Sequence, residues 1–132
     1  MELMFDTEKQ DNEDLLITLD GLIKNWENEV VEFKEANNDY DKNRIGQYFS
    51  AISNEANLKG IQYGWLVFGV RNKDKKIVGS NYRNKKGIDT LKHEISMNTT
   101  GGISFIDIYE VFPTIDNEKK RVLMFRIPAA VT

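Results

Sequence analysis

The feature that most constrains this chain is the run Gly64-Trp65-Leu66-Val67-Phe68-Gly69-Val70. It is apolar along nearly its whole length and bracketed by glycines. A short run of that kind reads as a central strand buried on both faces, because a half-solvated strand would alternate with polar residues. Two further segments are strand-like. In 27–36, Val31 and Phe33 point one way while Glu32 and Lys34 point the other. The stretch 103–112 is rich in β-branched and aromatic residues, is apolar on both sides, and reads as an internal strand. The short connection from it to 121–128 predicts an antiparallel pair.

Helical spacing appears three times. Asn12 or Asp14 is placed to cap a short helix through Leu15–Leu19, which Asp20-Gly21 either ends or carries into a second turn through Leu22 and Ile23. In 41–58 the apolar residues Ile45, Phe49, Ile52 and Ala56 follow at intervals of four, three and four, one stripe of an amphipathic helix that Asp41 or Asn43 can cap. A third helix is expected over 88–98. The element order predicts an α+β fold, with helices packed on a mixed or antiparallel sheet. Residues 1–12 read as a flexible acidic lead-in and 13–132 as a single domain; 132 residues suffice for one core.

Composition narrows the chemistry. The chain has no cysteine, which removes disulfides, thiol catalysis and zinc ribbons. Its one histidine, His93, reads as a surface residue of the 88–98 helix. No apolar run reaches the roughly 18 residues of a membrane span, and the acidic N-terminus lacks a signal-peptide core. A soluble, cytoplasmic domain with no membrane partner is expected.

The formal net charge of −3 conceals a strong asymmetry. Residues 1–41 hold 13 acidic residues against 3 lysines, a net −10, whereas residues 42–92 hold 11 basic against 3 acidic, a net +8. Two bends carry most of the basic excess: Arg71, Lys73, Lys75 and Lys76 in the first, Arg83, Lys85 and Lys86 in the second. Cations in that density make sequence-independent, salt-sensitive contacts to nucleic-acid phosphates. The competing reading is that they are solubilising turns whose field the acidic first third cancels. Tyr82, beside Arg83, is a candidate for base stacking or for local packing.

Several pieces together resemble a known family. Glu27-x-x-x-x-Glu32-Phe33-Lys34, Ala51-x-x-Asn54, Phe68-Gly69-Val70 and Ile77-Val78-Gly79 follow in the order of the Schlafen/AlbA-like DNA-binding domain. The resemblance implies a nucleic-acid-binding module, the N-terminal part of a larger ATP-binding transcriptional regulator or RecG-related helicase protein. ATPase activity would lie in other domains, since Thr99-Thr100-Gly101-Gly102 lacks the pattern of a phosphate loop. Lys34 joins the basic set as a candidate contact. The family also implies an alternative, a metal-dependent endoribonuclease in which Glu27 and Glu32 hold Mg²⁺ or Mn²⁺ with an aspartate from the strand end; here Arg71 and Asn72 follow Gly69-Val70 at that place. Otherwise Glu27 and Glu32 are solvated charges, or Glu32 pairs with Lys34 or Arg71. No cofactor is expected on the binding reading. A third reading is a protein-interaction or homodimerisation module served by the acidic first third.

Overall fold

The computed structural model describes residues 2–37, 40–83, 90 and 106–130, with 2–11 and Lys42 described by their backbone alone. Helix α1 runs Glu2–Lys24, followed by a single 3-10 turn at Trp26–Asn28. Strand β1 (Val31–Lys34), helix α2 (Lys42–Lys59) and strand β2 (Tyr63–Phe68) form a β-α-β unit in which β1 and β2 lie parallel. A hairpin of β3 (Val70–Arg71) and β4 (Lys76–Ile77) follows. After it come β5 (Asp107–Val111), a small hairpin of β6 (Thr114–Ile115) and β7 (Glu118–Lys119), and β8 (Val122–Pro128).

The main sheet is mixed, in the order β1-β2-β8-β5, with β8 antiparallel to both its neighbours. Alternation along β2 and β8 sends successive side chains into two separate cores. Leu66, Phe68, Leu123, Phe125 and Ile127 meet Ile45, Phe49, Ile52 and Ala56 of α2 on one face. Val67, Val122 and Met124 meet Leu19 and Leu22 of α1 on the other. The expected stripe of α2 is therefore the buried one, and Asp41 caps it by accepting a 2.9 Å bond from the Asn43 amide. Full burial of each large side chain stabilises the fold by about 1.5–3 kcal/mol, so these two layers hold the sheet between the helices.

Several expectations are corrected. The first 12 residues were expected as a loose lead-in, but the helical backbone begins at Glu2 and α1 needs no cap at Asn12 or Asp14. Gly21 does not stop α1 either; its carbonyl accepts from the Asn25 amide at 2.9 Å. The strand expected over 27–36 is confined to Val31–Lys34 because Glu27 belongs to the 3-10 turn. Strand β5 lies at an edge among the described residues, not inside the sheet. Its two apolar faces are real, since Ile108 enters the α2 core and Val111 the α1 core. The expected helix 88–98, with His93, lies outside the described residues apart from Thr90. No helix among those described is long and apolar enough to cross a membrane.

Gly69 makes the bend from β2 into the basic hairpin. Its φ of +108° is strained for other residues, and a Cβ there would lie 2.9 Å from the Arg121 carbonyl oxygen. The Gly69 carbonyl accepts from the amides of Val78 and Gly79, both at 2.9 Å, which folds the hairpin back over the end of the sheet.

Candidate nucleic-acid interface

The hairpin 70–77 projects from the end of β2 and carries four cations and one acid. Arg71 is not free. Its Nε and Nη2 donate to the two carboxylate oxygens of Asp74 at 3.0 and 2.7 Å. That fork, with the Lys76 amide 3.2 Å from Asp74 Oδ1, holds the Asp74 pKa down to about 2. Lys75, which has positive φ, donates to the Asn72 carbonyl at 2.5 Å and to its side-chain oxygen at 3.0 Å. Its ammonium also lies 4.3 Å from the centre of the Trp26 ring and 5.7 Å from that of Phe33. All these partners are neutral, so Lys75 is held in place without an ion pair among the described residues. Lys73 and Lys76 are exposed and have no ion pair among the described residues. Three lysines of the hairpin thus lack an ion pair among the described residues, although Lys76 adds to the field at Asp74, and Trp26 is the support that sequence reasoning missed.

One flank of the hairpin opens on a cleft of about 560 Å³ shared with Asp20 and Ile23 of α1 and with Ile115, Asp116, Glu118 and Lys120. The acids here partly answer other cations: Asp20 pairs with Lys24 and Glu118 with Lys120, each at 2.9 Å. Among the described residues the acidic first third therefore reaches the basic hairpin, through Asp20 at the cleft and the charge of Glu35 acting on Arg71, without an ion pair to it.

The remaining candidates are dispersed. Lys34 is half-buried, 3.5 Å from Glu32 and 5.0 Å from the Tyr48 ring centre. Its pKa is raised, first by hydrogen bonding with the Tyr48 hydroxyl and less by the Glu32 charge. Arg83 is half-buried with its guanidinium 5.8 Å from the Tyr82 ring centre. Lys85 and Lys86 lie outside the described residues. Tyr82 is fully buried, edge-on to Phe68 at 5.3 Å, so it is a core residue and offers no stacking face. Ser80 and Arg121 hold this segment down. Ser80 Oγ donates to the Ala36 carbonyl at 2.6 Å, and Arg121 donates to the Ser80 and Tyr82 carbonyls at 3.1 and 2.8 Å while paired with Glu110 at 2.6 Å.

The carboxylates do not assemble as a metal site. Glu27 is exposed on the 3-10 turn, whereas Glu32 sits half-buried in β1 beside Lys34. No group of three potential metal-ligating residues occurs among those described. With Arg71 forked onto Asp74 and a lysine beside Glu32, the donor set does not fit Mg²⁺ or Mn²⁺, which needs several carboxylate oxygens or waters around one point.

A mixed four-stranded sheet between two helices, with a cationic hairpin at the end of its second strand, defines an α+β domain. The chain belongs to the family described as Schlafen, AlbA_2, which it matches over residues 27–132. Among solved structures it is similar to the crystal structure of the DIP2311 protein from Corynebacterium diphtheriae, at 18% identity and a TM-score of 0.45. The match covers 92% of this chain and 23% of that one, so the chain spans about a quarter of that protein's length. No curated protein matches.

Proposed function

We propose that this chain is a nucleic-acid-binding module, one part of a larger regulator or helicase-related protein, and that it holds the phosphate backbone mainly through the β3–β4 hairpin. The observation that carries the reading is the state of three lysines: Lys73 and Lys76 exposed without ion pairs among the described residues, and Lys75 anchored on Trp26 and Asn72. Membership of the Schlafen, AlbA_2 family supports the same direction. Positioned point charges on a short hairpin suit phosphates, because an ammonium accepts no particular base geometry and gains by releasing condensed counterions. Lys34, Arg83, Lys85 and Lys86 extend the proposed contact set. Arg71 serves the hairpin's shape, as its fork is occupied by Asp74.

The test is fluorescence anisotropy with labelled single-stranded and duplex DNA and RNA at low and moderate salt. Binding that weakens steeply with salt and is lost on charge reversal at Lys73, Lys75 and Lys76 is the expected result. Binding indifferent to salt, or to these three reversals, contradicts the proposal. The four-way choice of nucleic acid also reports which polymer the module prefers.

A further inference from the structure

We propose that the sheet face beside α1 carries a stacking site for an unpaired nucleobase, separate from the hairpin. The sheet register places Trp65 of β2, Arg126 of β8 and Asp107 of β5 in one row across three strands. Tyr63 and Tyr109 lie two residues away on the same face. The Arg126 guanidinium sits over both tyrosines, 4.6 Å from the Tyr63 ring centre and 5.7 Å from that of Tyr109. The Trp65 and Tyr109 rings are 6.5 Å apart and tilted by 40°. Asp14, Leu15 and Thr18 of α1 form the opposite wall of a cleft of about 440 Å³.

This patch differs from the core it continues. Further along α1, Leu19 and Leu22 fill the same sheet face against Val67 and Met124, an aliphatic seal. At the cleft the face becomes aromatic and charged, and Tyr63 is 41% exposed. Arg126 also keeps donors in reserve. Its one hydrogen bond among the described residues runs from Nη2 to Asp107 Oδ2 at 2.6 Å, and its Nε is buried without a partner. A guanidinium has five N–H donors in a fixed plane. Rings for stacking, a guanidinium held by two of them and carboxylates at the margin that can accept from ring or amino N–H groups together match a flat heterocycle with polar edges. The cleft falls within the usual range of small-ligand sites, about 300–1,000 Å³.

The site deepens the proposed function and rests on it where the ligand is a polymer. Trp65 precedes Val70, the start of the hairpin, by five residues, about 16 Å of strand. A single strand would need about five stacked nucleotides to reach both places. A free mononucleotide presents the same base and phosphate without the hairpin.

The experiment subtracts the emission of a Trp65→Phe variant from that of the unaltered chain, which isolates Trp65 of the chain's two tryptophans and leaves Trp26 and the hairpin untouched. The Trp65 emission is followed on adding a single-stranded adenine oligonucleotide, the corresponding duplex, or adenosine monophosphate. The expected result is quenching by the single strand and not by the duplex. Tyr109→Leu then weakens single-strand affinity about tenfold with an unchanged salt dependence. Arg126→Lys, which keeps the charge but not the planar stack, produces a loss in the same direction should Tyr109→Leu fail to fold. Oligonucleotide binding without a response at Trp65 overturns the stacking site while leaving the hairpin reading intact. If no oligonucleotide binds, the hairpin reading falls, and adenosine monophosphate decides the site: quenching upholds a free-nucleotide pocket, and silence overturns it.

Discussion

Replacing Lys73 and Lys76 together by glutamine removes two of the hairpin's three lysines that lack an ion pair among the described residues and leaves Lys75 on its Trp26 support. Each phosphate neutralised on duplex DNA contributes about −0.9 to the slope of log K against log salt. Three contacts therefore give a slope of about −2.7, and affinity falls about 40-fold between 50 and 200 mM salt. With Lys75 alone the slope is about −0.9 and the same change of salt costs about 3.5-fold. Both lysines are exposed, and neither is tied into the core, so stability should move by less than about 0.5 kcal/mol. Anisotropy titrations at four or five salt concentrations, beside thermal unfolding of both proteins, give slope and stability independently. A slope that stays at the parent value in a folded double variant refutes the assignment of phosphate contacts to these lysines. A parent slope much steeper than about −3 would instead bring in cations outside the hairpin.

Three other outcomes are expected. Asp74→Asn releases the Arg71 fork, so binding should tighten and the salt slope steepen by about 0.9, read by the same titration. Because the Asp74 pKa is lowered to about 2, its ionised form favours the folded state; that contribution is full above the unfolded value of about 3.8 and is lost as pH falls toward 2, and a carboxyl NMR titration should find Asp74 still mostly charged at about pH 3, where an ordinary aspartate is mostly protonated. Gly64→Ala would force a methyl group onto Ile52 Cγ2 and within 2.9 Å of Val30 Cγ1, between α2 and the sheet; denaturant unfolding should show a loss of about 1–3 kcal/mol, and an unchanged midpoint would disprove this packing.

Much of the fold was legible because face periodicity is a local signal. The spacing of Ile45, Phe49, Ile52 and Ala56 marks the buried stripe of α2, and the unbroken run before Gly69 marks a strand with both faces covered. Periodicity says nothing of lateral neighbours. Strand β5 has apolar residues on both faces and reads as internal, yet it lies at the edge of the described sheet, since helices can cover both faces of an edge strand. The length of α1 was obscured by Gly21 and by its polar first half; the helix persists because Leu19 and Leu22 are anchored on the sheet, which outweighs the roughly 1 kcal/mol cost of a helical glycine.

The candidate site was legible only in its charges. That Arg71 turns to Asp74 and Lys34 to Glu32 follows from short-range neighbours, and the second pairing was one of the alternatives the sequence left open. Trp26 reaching Lys75 across nearly fifty residues, and Arg126 settling between Tyr63 and Tyr109, depend on strand register, which no local pattern of these residues encodes.

Backbone amide shifts of the isotope-labelled chain, followed by NMR during titration with a single-stranded oligonucleotide, probe the hairpin's role without altering a residue. The largest changes should fall on Arg71 to Ile77 and fade as salt rises. Changes centred on the Glu27–Glu32 side, or spread evenly with no response in the hairpin, would contradict it.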